Sequence, residues 1–157
     1  MRHAVSPLAA LAATAAASPL RSSSFARSVT CLDTAGVPYV DESSPDWADA
    51  STAYNLNVPV TPYAVVQAKT TEHIQDAVRC AVEGGLKVAA KSGGHSYASM
   101  GLGGEDGHLV IQLDQMYGVK VSDDGTAVIN AGSRMGYTTL ELFDQGQRAL
   151  SMGSGPR

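Results

Sequence analysis

The residues best suited to chemistry fall in one stretch, Lys91-Ser92-Gly93-Gly94-His95-Ser96-Tyr97. Two adjacent glycines let the backbone take positive φ and come close to a ligand. Successive N–H groups in such a turn can form a nest for an anion, and Ser92, Ser96 and Ser99 add hydroxyl donors. A second glycine-rich stretch follows, Gly101-Leu102-Gly103-Gly104-Glu105-Asp106-Gly107. Chain this rich in glycine is costly to order unless something packs against it, which points to a phosphate-bearing ligand. A plain structural loop would use the same residues. The stretch is neither a P-loop nor the G-x-G-x-x-G dinucleotide fingerprint, since both open directly into a long helix. Of the remaining histidines, His73 is expected to face water on a helix and His108 to begin a strand, so no metal site is assigned.

These residues need a scaffold, and the flanking pattern supplies one. Tyr63 to Ala68 reads as a strand, Thr71 to Glu83 as a helix, and Leu86 to Lys91 as a second strand. The helix has Thr70 as its N-cap and Gly84-Gly85 past its end, with Ile74, Ala77, Val78, Ala81 and Val82 as an apolar stripe. Strand, helix, strand at these lengths predicts a βαβ unit with parallel strands. The glycine-histidine loop then leaves the carboxyl end of a parallel strand, the edge where open sheets place ligands. His108 to Leu113 is almost wholly apolar and predicts a strand buried on both faces. Val119 to Ser122 and Thr126 to Ala131 flank Asp123-Asp124-Gly125, a hairpin signal. A further helix over Tyr137 to Gln145 would carry Tyr137, Leu140 and Phe143 on one side and end at Gly146. The expected fold class is α+β.

The chain has 157 residues, enough for one ordinary domain, with 11 Lys plus Arg against 15 Asp plus Glu and a net charge of −4. That balance argues against a nucleic-acid partner, which would call for a basic face. Met1-Arg2-His3, an Ala/Leu-rich run and Ala15-Ala16-Ala17 have the layout of a secretory signal peptide over 1–17, too short to span a membrane. Residues 18–30, rich in Ser and Arg, read as a linker. An Ala-rich leader or transit peptide is the alternative. Two cysteines, Cys31 and Cys80, suit an exported chain. At 100° per residue Cys80 lies off the apolar stripe, on a flank that an N-terminal segment could reach. A bridge would close a loop of roughly 50 residues, worth about 4 kcal/mol in the chain-entropy model. Two buried free thiols are the other option.

The loop at 91–97, together with Gly103 to His108, Leu113-Asp114-Gln115-Met116-Tyr117, Gly132 to Tyr137 and Glu141 to Leu150, resembles the N-terminal half of a PCMH-type FAD-binding domain. Within that group the similarity is greatest to berberine bridge enzyme-like oxidases, especially secreted fungal glucooligosaccharide oxidases. It runs from about Cys31 to Met152. The resemblance implies a βαβ unit with hairpin strands and a second helix, forming a domain over 57–157 with 31–56 tied to it by a disulfide. It implies that the loop wraps the FAD pyrophosphate and that His95 bonds covalently to the 8α-methyl of the flavin. Ser92, Gly93, Gly94, Ser96 and Tyr97 would contact the pyrophosphate, while Gly101, Gly132 and Tyr137 line the cofactor. It also implies pairing of Cys31 with Cys80, a carbohydrate or alcohol substrate, and O₂ as acceptor.

The same resemblance brings departures. Close members attach FAD a second time through a cysteine, and Gly155 stands at about that place here. The family's tyrosine base and substrate domain have no counterpart in these residues, so no catalytic residue is assigned within the chain. Three readings follow: an FAD-dependent oxidoreductase acting on sugar or alcohol C–OH groups, a truncated inactive fragment, and a secreted binding module that keeps the loop for structure.

Overall fold

The computed structural model describes residues 19–153, and side chains from Phe25 onward. Helix α1 (Pro19–Ala35) leads into β1 (Tyr39–Val40), then a short helix α2 (Trp47–Ser51) and β2 (Ala64–Gln67). Helix α3 (Thr71–Gly84), β3 (Val88–Lys91), a single 3₁₀ turn (Met100–Leu102) and β4 (Leu109–Gln112) follow. The chain closes with the hairpin β5 (Val119–Val121) and β6 (Ala127–Ile129) and helix α4 (Met135–Gly146). The α+β class expected from the sequence is what forms. The signal-peptide reading of 1–17 lies outside the described residues.

The main sheet has the order β1-β2-β4-β3, with β1 antiparallel to β2 and the other pairs parallel. The β2–α3–β3 unit is therefore parallel, as the pattern predicts, but its two strands are not neighbours. Strand β4 fills the place between them, pairing Val65 and Ala89 alike with Val110. Its central position explains its composition, since Leu109 and Val110 are fully buried and Ile111 nearly so.

Side-chain alternation along the strands makes two cores. Ala64, Val66, Leu109 and Ile111 face α1 and α3, meeting Leu32, Ala77, Cys80 and Ala81. Val65, Val110 and Ala89 point the other way, against Val40, Ala53, Val60 and Leu102. The result is three layers, with the sheet in the middle.

Three helical expectations need correction. The Ser/Arg-rich stretch read as a linker is helical from Pro19, because α1 has a partner. Leu32 is fully buried, Ser28 Oγ donates to the Cys80 carbonyl at 3.0 Å, and Cys31 is bridged to Cys80 across a Cα–Cα distance of 5.4 Å. The stripe of α3 is rotated from the expected one: Ala77, Cys80, Ala81 and Gly84 are buried, while Val78 and Val82 are exposed. Packing of α1 on the cysteine face outweighs the larger apolar area of the valines. In α4 the buried positions are Thr138 and Leu142, and Leu140 and Phe143 face outward.

Local signals held better. Thr70 caps α3 by accepting the His73 N–H, and Gly85 ends it at φ +67°. His73 itself is half-buried rather than free in water, its Nδ1 accepting from the Lys69 N–H. In the hairpin, Asp124 accepts from the N–H and hydroxyl of Thr126, as the Asp-Gly turn requires. The free edge of β5 is covered by one side chain. Gln145 of α4 accepts from the Val121 N–H and donates to the Val119 carbonyl.

Candidate functional site

The Ser92–Tyr97 loop leaves the carboxyl end of β3, and both sides of it are anchored. The Gln112 amide donates to the Ser92 carbonyl at 3.2 Å, holding the loop to the end of β4. On the far side Ser96 Oγ accepts from the Met100 N–H, which starts the 3₁₀ turn. Two bonds then reach across the chain: Asn55 Nδ2 donates to the Tyr97 carbonyl at 2.8 Å, and Ser99 Oγ donates to the Val58 carbonyl at 2.6 Å. The segment before β2 therefore fixes the shape of the histidine loop.

Beneath the loop lie two cations. The Lys91 ammonium donates to the Ala50 carbonyl at 2.9 Å, and its stem runs under Gly94 and Gly101. A Cβ on Gly94 would stand 2.9 Å from Lys91 Cε, and one on Gly93 would stand 2.5 Å from Arg134 Nη1. A side chain at Gly93 would push the Arg134 guanidinium aside, and one at Gly94, at φ +69°, would be strained in its own backbone. Burial pushes the Lys91 ammonium below its ordinary value; nearby Asp114 opposes the shift and Arg134 adds to it.

This arrangement tests well as an anion seat. Arg134 Nη1 is buried without a hydrogen-bond partner among the described residues. The amide N–H groups of Gly93, Gly94 and His95 likewise have no acceptor among the described residues. Unspent backbone donors beside a positive-φ glycine, above two cations, make the kind of nest that binds a diphosphate.

The structure gathers most of the residues singled out in the sequence. Ser92, Gly93, Gly94, His95, Ser96 and Tyr97 are consecutive, and Gly101 packs within 3.6 Å of the Gly94 Cα when given a Cβ. His95 is exposed, in a cluster with Tyr54, at 4.0 Å between ring centroids, and Tyr97, at 6.2 Å. Gly132 and Tyr137 have other neighbours. Gly132 is pressed onto the Leu113 and Met116 carbonyls and donates its N–H to Met116, while Tyr137 meets Tyr117 edge-on at 5.4 Å. Both pack on the turn after β4, and Arg134, between them in sequence, reaches the loop at Gly93. Gly155 lies outside the described residues.

Sequence reasoning gave no role to Tyr54, Asn55 or Arg134. Arg134 stood in a quoted motif and could have been flagged as a cation beside a glycine. Tyr54 and Asn55 carry no periodic or motif signal, and only the fold brings them to His95.

A groove of about 880 Å³ opens at the opposite, amino-terminal edge of the sheet, lined in part by Trp47, Tyr63, Leu86 and His108. Three of its four carboxylates are already engaged in structure. Asp41 accepts from Ser43 and Ser44, Asp106 from the Thr61 N–H, and Glu105 pairs with Lys87. Hydrogen bonds from Ser43 hold the Asp41 carboxyl below its usual range. Among the described residues there is no group of acidic, histidine and cysteine side chains able to hold a metal, and no helix long and apolar enough to cross a membrane.

Comparison with known proteins agrees with this geometry. Residues 62–157 match the family model described as an FAD binding domain. The chain is 50% identical over 126 residues to a glucooligosaccharide oxidase of Sarocladium strictum, covering 80% of this chain and 25% of the relative. It is 48% identical over 127 residues to a chitooligosaccharide oxidase of Gibberella zeae, covering 81% of this chain and 26% of the relative. Among solved structures, a xylooligosaccharide oxidase from Myceliophthora thermophila with bound xylobiose superposes with a TM-score of 0.78 at 45% identity, over 83% of this chain and 28% of that one. A glucooligosaccharide oxidase from Acremonium strictum, described as carrying 6-S-cysteinyl, 8α-N1-histidyl FAD, gives a TM-score of 0.79 at 48% identity, over 83% of this chain and 27% of that one. The chain spans about a quarter of the length of the curated relatives it matches. With the matched family covering more than half of the chain and the glycine nest seated over two cations, the protein belongs to the FAD binding domain family, and its cofactor is FAD.

Proposed function

We propose that this chain is the cofactor-anchoring part of a secreted FAD-dependent oligosaccharide oxidase, with His95 as the covalent attachment point. The observation that carries the reading is the exposed His95 on a loop whose unspent amides lie above Lys91 and Arg134. When bound, FAD would supply the redox chemistry, a two-electron oxidation of a sugar C–OH with O₂ as the acceptor. Everything else is positioning. The amides of Gly93 and Gly94 would take phosphate oxygens, with Ser92 and Ser96 beside them. Arg134 would give its unpartnered N–H to the same diphosphate.

His95 would then fix the ring end. Its imidazole would hold the 8α-methyl end of the ring covalently, a two-electron oxidation for which the bound flavin, itself reoxidised by O₂, would supply the oxidant. Similarity to three oligosaccharide oxidases supports a carbohydrate substrate, and the disulfide suits an oxidising, extracellular compartment with residues 1–17 as the exported leader.

The test is expression of the full chain with FAD, followed by acid denaturation and proteolysis. Flavin fluorescence should stay on the peptide that contains His95, and His95→Ala should abolish it. Flavin bound to another peptide, or none on the wild-type chain, would overturn the assignment of His95.

A further inference from the structure

We propose that Tyr54 is a positioning residue for His95, holding the imidazole so that a ring nitrogen meets the flavin. The proposal rests on the reading of His95 just given and deepens it. The two rings lie 4.0 Å apart between centroids with 30° between their planes. Stacking of this kind occupies a ring face and leaves the edges, where the imidazole nitrogens are, open to a ligand. Tyr97 flanks the pair edge-on, 5.5 Å from Tyr54 and 6.2 Å from His95.

Nothing in the core forces this arrangement. Tyr54 is 50% exposed and Tyr97 69% exposed, so the stack is not a by-product of burial. It is built from two segments far apart in sequence and locked on both sides. Asn55, next to Tyr54, donates to the Tyr97 carbonyl, and Ser99 donates to the Val58 carbonyl. An exposed imidazole without such a partner would exchange among staggered rotamers. Held against Tyr54 it keeps one direction, which is what a bond-forming step between two bound groups needs.

The experiment compares the full wild-type chain with Tyr54→Phe and Tyr54→Leu, each expressed with FAD. The rate of acid-stable flavin attachment should stay within about twofold for Tyr54→Phe and fall about tenfold or more for Tyr54→Leu, by loss of orientation alone. Non-covalent FAD retention and the thermal midpoint should be unchanged in both. Attachment in Tyr54→Leu at the wild-type rate overturns the proposal. A second, flavin-independent readout is the His95 ring-proton NMR signal. It should show an upfield ring-current shift in wild type and Tyr54→Phe, lost in Tyr54→Leu. Wild-type signals at unstructured positions overturn the stack itself. A wild-type chain that shows the shift yet takes up no flavin overturns the attachment reading, and with it the purpose assigned to Tyr54.

Discussion

Arg134 carries an energetic conflict that a ligand can resolve. A guanidinium nitrogen buried without a partner costs free energy, and removing it while keeping the volume is often neutral or stabilising. Its one evident use is the loop above it, where Gly93 leaves no room for a side chain between backbone and cation. Arg134→Gln should therefore leave the thermal midpoint of the cofactor-free chain equal or higher. The same change should weaken non-covalent FAD retention by about tenfold, the worth of one charge-assisted hydrogen bond, and flatten its salt dependence. Equilibrium dialysis at two ionic strengths checks this. Unchanged retention would remove Arg134 from the anion seat.

Among the elements, α1 depends most on a single tie. Its Ser28, Cys31 and Leu32 all meet α3, and the disulfide links the two helices covalently. Reducing the bridge, or making Cys31→Ala with Cys80→Ala, should cost about 4 kcal/mol by the chain-entropy estimate for a loop near 50 residues. Urea unfolding with and without reductant measures the loss. Hydrogen exchange should quicken first in α1, with β2 and β4 still protected, and uniform loosening would contradict this order. The link between α1 and β1 is a hydrogen bond that the Tyr39 hydroxyl donates to Asp33 at 3.0 Å. Burial first, and then Asp33, push the Tyr39 pKa from 10.0 up to about 12. A raised folded pKa means that the proton is held more tightly in the folded state. This contribution is complete below pH 10 and lost as pH climbs to about 12. Alkaline absorbance titration should show a phase near pH 12 from Tyr39, apart from Tyr63 and Tyr137, which burial also raises, and Tyr39→Phe should remove that phase and reduce the steepness of alkaline unfolding.

For the whole molecule, the two halves differ in how they bury their apolar residues. The parallel sheet between its two cores is closed on both faces, whereas α4 turns Leu140 (66% exposed) and Phe143 (62%) outward and β6 leaves Val128 (64%) exposed. Large exposed apolar side chains of this kind bind apolar dyes and promote association. The chain should therefore bind a hydrophobic fluorescent dye and broaden in light scattering as concentration rises. Leu140→Ser with Phe143→Ser should reduce both without lowering the thermal midpoint, because neither side chain is in a core. A clear loss of stability would show that the outward face packs in solution.

Local code was readable without any fold. Thr70 and Gly85 mark the ends of α3 and Asp124-Gly125 makes the hairpin turn, because capping and turn conformation are set by neighbours along the chain, and the continuous apolar run in β4 marks a strand buried on both faces, because it has no polar side to turn to water. The glycine-histidine motif likewise marked the loop whose backbone comes close to the Lys91 and Arg134 side chains, since glycine there leaves room for both. Tertiary structure alone decided that 19–30 is helix, that Cys80 rather than Val78 faces the core, and that Tyr54 and Asn55 sit on the His95 loop. Each of these depends on a partner distant in sequence. The free energy of meeting that partner outweighs the local hydrophobic pattern, so no reading of neighbouring residues could have supplied it.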